Sequence, residues 1–271
     1  MLLSDLLRVL REDILHDRSD RVAGAQDYLW SDTTLIGFMN EAQRRFARRS
    51  LCIRDATPSS LTQFTTVAYQ ENYPLDPSVV AVISARFMGN GIWSGGAYTG
   101  SLYPDKADLA RAGHSQLSTY TVPDTYFFNP SELARLTPGK PMAFTTDEGT
   151  TVDSKGSRGT MLMRLYPPPD VDYAGCTVQL RICRLPQTSF TLENLDIYPE
   201  IPEDYHLPML DYAAYLALRI VDHELGDPAR AAEFLKSFEA HVDEARREML
   251  RKLFSPELWG FGRNGWAYEG N

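Results

Sequence analysis

The sequence predicts an α+β protein: a four-helix-type bundle built from both chain ends, an inserted antiparallel β-sandwich or barrel domain, and an extended C-terminal tail. Three observations predict it. Apolar residues recur at helical spacing near the start and again after Pro199, alternate at period two in between, and give way after Leu253 to a run of glycines and aromatics. The corresponding segments are 1–58, 59–198, 199–253 and 254–271.

In the first segment Ser4 is placed to cap a helix that carries Leu6, Leu7, Leu10 and Ile14 on one face. The following stretch, 16–28, is polar and reads as an exposed loop. A second helix starts at Ser31 or Asp32 and aligns Leu35, Met39, Ala42 and Phe46, with Glu41 and Arg45 four residues apart on another face. Two helices with one apolar stripe each do not make a domain by themselves.

From about Leu61, Thr, Val, Tyr and Phe replace Leu, Ala and Arg, and Pro and Gly recur at short intervals as turns between strands do. The clearest strand is 177–185, where Val178, Leu180 and Ile182 alternate with Thr177, Gln179 and Arg181. Further strands are expected at 64–69, 79–88, 125–128, 142–145 and 161–166. Without crossover helices between them, an antiparallel arrangement is expected. Two loops stand out: 88–100, with five glycines around Trp93 and Tyr98, and the polar 147–159. A short helix is expected at 104–113.

After Pro199 a slim face of Leu210, Ala213, Ala214, Ala217, Val221 and Leu225 marks a helix stopped by Gly226-Asp227-Pro228. Asp227 can then cap a last helix with Pro228 at its first position. That helix is amphipathic through Ala231, Phe234, Leu235, Phe238, Val242, Ala245 and Met249.

At 271 residues and 43% apolar composition the chain is long enough to bury a substantial core, and no apolar run reaches the length of a membrane helix or a secretion signal. Cys52, Cys176 and Cys183 lack zinc spacing and read as buried thiols in a reducing compartment. The net charge of −9 is uneven: nine basic and nine acidic residues in 1–55, ten and thirteen in 56–198, eight and fourteen in 199–271. Binding DNA through its phosphates needs clustered Lys and Arg, whereas an acidic surface lets DNA slide past without sticking.

The tail, FSPELWGFGRNGWAYEGN, has five aromatics and four glycines in eighteen residues, too few apolar positions in any regular pattern to make a core. Phe254, Trp259, Phe261, Trp266 and Tyr268 are therefore the candidate docking residues, for a neighbouring subunit or another protein. Arg44, Arg45, Arg48 and Arg49 form the densest positive run and read as a solvated or ion-paired face, with Glu239, Asp243 and Glu244 as available partners. The glycines around Trp93 match no phosphate-binding motif. The five histidines are scattered, and no nucleophile or paired-carboxylate signature is present, so no catalytic residue, metal site or cofactor is predicted.

Two stretches carry a family resemblance. WSDTTLIGFMNEAQRRFARR, from Trp30, and YPEIPEDYHLPML, from Tyr198, resemble the "W-S-D … N-E-A" and "P-E-I-P … Y-H … L" helices of the head-to-tail adaptor (connector) proteins of tailed bacteriophages. Tyr73-Pro74-Leu75 and Leu165-Tyr166-Pro167-Pro168-Pro169 are similar to that family's "Y-x-L" and "L-x-P-x-P". The resemblance implies a structural, non-enzymatic virion protein assembled in the host cytoplasm. It implies a ring, of twelve copies, that binds below the portal protein, extends the DNA channel without sequence-specific contact, and supports a tail tube or nozzle protein. A tail or baseplate protein at another ring position is the main alternative, and an uncharacterised enzyme a more distant one.

Overall fold

The structure, a computed structural model, describes residues 1–17, 28–88, 99–104, 137–141, 143–148, 160–219 and 227–253. Among them helix and sheet segregate along the chain, giving a mixed α+β protein. Two compact units result, one of Met1–Ile53 with Leu185–Asn271 and one of Arg54–Arg184.

The first unit begins with α1 (Leu3–Arg8), which runs on as a π-helical turn, Val9–Ile14. Ser4 does not cap it. The helix starts at Leu3, two residues before a Ser4 cap would place it, and the N–H groups of Leu3 and Ser4 donate to the carbonyls of Ile197 (2.9 Å) and Leu195 (3.1 Å), backbone contacts that stand in for a side-chain cap. The second helix, α2 (Asp32–Ser50), starts where the sequence places it: the Ser31 hydroxyl accepts from the Thr34 N–H at 3.1 Å. Its Leu35, Met39, Ala42 and Phe46 are fully buried.

After the sheet unit, a 3₁₀ turn (Glu203–Tyr205) leads into α4 (His206–Leu218), and α5 (Pro228–Leu253) follows. The short helix α3 (Ser59–Thr62) belongs to the other unit. Asp227 caps α5 as expected, its carboxylate accepting from the Arg230 N–H at 3.0 Å and its carbonyl from Ala231 at 2.8 Å. Val221 and Leu225 lie outside the described residues. Leu6 and Leu10, the buried face of α2, Ala213, Ala214 and Ala217 of α4, and Phe238, Val242 and Ala245 of α5 share one apolar cluster, so both chain ends supply a single core. At its centre the Phe46 ring lies 5.3 Å from Tyr205 and 5.9 Å from Phe238.

The second unit is one eight-stranded sheet: β1 (Arg54–Asp55), β2 (Gln63–Thr65), β3 (Asn72–Pro74), β4 (Val79–Met88), β5 (Thr99–Pro104), β6 (Ala143–Glu148), β7 (Met161–Tyr166) and β8 (Thr177–Arg184). The strand order is β1-β8-β4-β5-β6-β7-β3, with β2 also on β8. Among the described residues every strand pairing is antiparallel except β5 with β6, where Tyr103 faces Ala143 and Pro104 faces Phe144 in parallel. The long connection between those two strands allows the chain to return to the same end of the sheet. Val178, Leu180 and Ile182 on β8 pack with Phe87, Phe144, Met163 and Leu165, the dry face that their alternation predicts.

Three expectations need correcting. The loop expected at 88–100 ends early, because strand β5 starts at Thr99, hidden in sequence by the glycines before it, and runs to Pro104; residues 105–113 of the expected helix lie outside the described residues. The strand expected at 64–69 is only Gln63–Thr65, because at Thr66 the chain turns to follow the 170–175 loop. The loop at 16–28 is not uniformly exposed, since Asp17 is buried. The expected strand at 125–128 lies outside the described residues.

Both connections between the units pass through paired strands of the sheet unit: Arg54 faces Cys183 and Asp55 faces Ile182. Burial alone would raise the Asp55 carboxyl, but the Thr57 N–H (3.2 Å) and the Arg184 guanidinium (3.1 Å) outweigh it and hold the group below the usual carboxylate range.

Candidate docking surface

The residues that carry the family resemblance turn out to be structural joints. Arg11, buried in the π-helical turn, donates to the Asp17 carboxylate and to the Trp30 carbonyl, both at 2.8 Å, and also pairs with Asp32. Asp17 in turn accepts from the Leu29 and Trp30 amides at 2.8 and 3.1 Å. The W-S-D triplet thus supplies a carbonyl and a counter-charge to one buried guanidinium, and a cap to α2. Two ions taken out of water hold only because nearly every lone pair and N–H finds a partner.

Asn40 of the N-E-A triplet docks like a strand: its amide nitrogen donates to the Phe190 carbonyl at 2.9 Å and its oxygen accepts from the Phe190 N–H at 2.7 Å. In P-E-I-P, Glu200 accepts from the amides of Gln187 and Thr188 at 2.8 and 2.6 Å, and Ile201 is buried. Tyr205 reaches Glu248 on α5, and burial followed by that carboxylate pushes its phenol well above the ordinary range. His206 lies 3.0 Å from the Ile201 carbonyl and 3.2 Å from the Met1 amino group, which fits the neutral ring donating from Nε2; burial lowers its affinity for a proton.

In the sheet unit the corresponding motifs knit two loops into one tip. Tyr73 is buried, stacks on Phe64 with centroids 4.6 Å apart, and its hydroxyl accepts from the Val67 N–H and donates to the Gln70 carbonyl, both at 3.1 Å. The Pro168 and Pro169 carbonyls accept from Gly139 (2.9 Å) and Tyr69 (2.6 Å). Thr66, also buried, donates from its hydroxyl to the Tyr173 carbonyl at 2.7 Å, and Gly175, at φ +77°, donates to the Thr66 carbonyl at 2.8 Å. A residue with a side chain would be strained at that backbone conformation.

The arginine run lies along one side of α2. Arg49 pairs with Glu239, one of the acidic partners expected on the last helix, and Arg45 lies over the Tyr212 ring at 4.9 Å. Glu244 is 3.8 Å from His241 instead. With Arg45 and Arg49 engaged within the unit, this face reads as a framework surface.

The family whose description is SU10 adaptor protein matches residues 1–256, from the first helix through the whole of α5. The chain belongs to the SU10 adaptor protein family. It is a phage head-to-tail adaptor by that membership, as the W-S-D, N-E-A and P-E-I-P segments suggested. Among curated proteins none matches it.

In this adaptor the docking residues expected from sequence, Phe254, Trp259, Phe261, Trp266 and Tyr268, lie outside the described residues. Sequence reasoning did not single out three others. Val67, Tyr69 and Val171 stand on the stitched loops with more than half of their surface in water. The only signal for them is an isolated apolar residue between turn formers, and it becomes legible only once the loops, about a hundred positions apart, are seen together. Among the described residues, no group of three His, Cys, Asp or Glu could hold a metal, and no helix is long and apolar enough to cross a membrane. The three cysteines are buried, and none of them forms a disulfide.

Proposed function

We propose that this adaptor forms a ring, with twelve copies as the expected number, which binds below the portal protein, extends the DNA channel and supports a tail tube or nozzle protein. The observation that carries the reading is the family match over 1–256, which spans both helical brackets and everything between them. The role is mechanical, with neither enzyme chemistry nor cofactor, and it places the protein in the virion at the head–tail interface after assembly in the host cytoplasm. Identical subunits in a closed ring meet through heterologous contacts, which suits slim Ala-rich helices such as α4. The division of labour follows the segments: 1–58 and 199–253 act as one four-helix-type scaffold, 59–198 forms an inserted sandwich or barrel domain, and 254–271 docks.

The surplus of acid over base in 199–271 supports a channel that DNA crosses without sticking, since like charge repels the phosphates. The tail reading has its own test. Deleting residues 255–271 is expected to leave the melting curve unchanged while abolishing attachment to portal-bearing heads. Early unfolding of the truncated protein would assign the rings to its own core, and normal attachment would remove the tail from the anchor.

A further inference from the structure

The tip of the sheet unit has the properties of a receptor. Val67, Tyr69 and Val171 are 52%, 63% and 67% exposed, while the backbone beneath them is fixed by the Thr66, Tyr73 and Pro169 hydrogen bonds. Tyr69 adopts φ +61°, a conformation that a bulky side chain takes only when its surroundings impose it. Single exposed apolar residues are ordinary, but here a strained backbone holds an aromatic ring out in water on a loop whose backbone is bonded to the one that carries Val171. Loops already fixed in place lose little freedom when a partner binds.

Two acidic residues stand on the 170–175 loop, and Lys140 follows Gly139, which donates to the Pro168 carbonyl. Asp172 is exposed, and the Asp170 carboxylate holds the turn by accepting from the Asp172 and Tyr173 amides at 2.9 and 3.2 Å. A complementary partner therefore offers aromatic rings close to a cation.

We propose that this tip seats the C-terminal segment 254–271 of a second copy of the chain. The proposal rests on the reading of that segment as a docking arm and adds what it docks on. In that segment Arg263 stands between Phe261 and Trp266, so one short stretch supplies rings for Val67, Tyr69 and Val171 and a guanidinium for Asp170 and Asp172. Trp, Tyr and Arg are the residues that most often dominate protein interfaces. Eighteen residues span at most about 60 Å when extended, enough to reach beyond their own unit. Because the tail and the tip are different surfaces, the contact is heterologous and repeats from copy to copy around a ring.

The test uses the full chain with a benzophenone amino acid in place of Trp266. Isotopically heavy and light proteins are mixed, assembled on portal-bearing heads and irradiated. The expected products are heavy–light peptide pairs that join position 266 to 67–71 or 167–173. Their yield is expected to fall by at least about ten-fold in a Tyr69→Gly background, the loss of one hot-spot ring. Glycine accepts φ +61° without strain, so this variant keeps the loop while removing the ring. Val171→Asp, at an exposed position, gives a second reduction with an unchanged melting curve. Cross-links to portal or tail protein would overturn the tip as receptor and leave the docking arm intact. Cross-links confined to heavy–heavy and light–light pairs would overturn the second copy. Absence of any cross-link, together with normal head attachment after deletion of 255–271, would overturn both.

Discussion

The two units of this adaptor use hydrogen-bonded polar side chains in opposite ways. In the helical unit Arg11, Asp17, Asn40, Glu200 and His206 point inward or across segment ends, and what they fix is the core's own connectivity. In the sheet unit Thr66 and Tyr73 fix loops whose side chains face water. The same class of family motif therefore serves closure in one unit and presentation in the other. A buried polar group by itself does not reveal which; the destination of its hydrogen bonds does.

The sharpest way to break the comparison is Arg11→Ala. It leaves Asp17 charged and buried without its guanidinium, and the expected loss is about 3–5 kcal/mol by chemical denaturation. A loss below about 1 kcal/mol, the range of a surface pair, would mean that this network does not close the helical unit. Asn40→Ala comes next. The Phe190 N–H and carbonyl lose their partners, and about 1–3 kcal/mol is expected for the orphaned groups.

Tyr73→Phe tests the other side. Only a hydroxyl is removed, so the expected loss is about 0.5–1.5 kcal/mol, and hydrogen exchange at 67–70 is expected to speed up more than exchange in β8. Equal acceleration in both would show that the tip is not a separately held element.

The smallest effect concerns pH. Burial lowers the His206 pKa below its unfolded value of about 6.5, so the folded protein binds fewer protons than the unfolded one just below that pH. Its contribution is complete above pH 6.5 and is lost as pH falls through the folded value. Asp211 opposes it: burial raises its carboxyl despite the Ser237 hydroxyl at 2.7 Å, so its contribution grows as pH falls toward that range. Between pH 7.5 and 5, His206→Gln is expected to lose less stability than the parent, and Asp211→Asn to lose more. The reverse order in denaturant midpoints would contradict both assignments.

Much of the helical unit was legible because its signals are local. Ser31 before an apolar stripe, and Asp227-Pro228 after a glycine, specify caps within a few residues. The β8 alternation is local too. What was hidden depends on segments far apart in sequence. Ser4 is relieved of capping by Leu195 and Ile197, Asp17 is buried by Arg11 and the Trp30 backbone, and the Tyr69 conformation is imposed by Pro169. Strand β5 follows a glycine-rich run that masks its own β signal. The family motifs were visible as patterns, but their tasks became clear only from what each side chain touches.

The central claim is that this chain closes into a ring on the portal. Electron microscopy of the purified full-length protein, alone and with portal-bearing heads, tests it most directly. The account predicts a closed ring of adaptor density directly below the portal when heads are present, made from copies of one chain. Adaptor subunits bound singly, or a ring that assembles on tail components and leaves the portal bare, would contradict it.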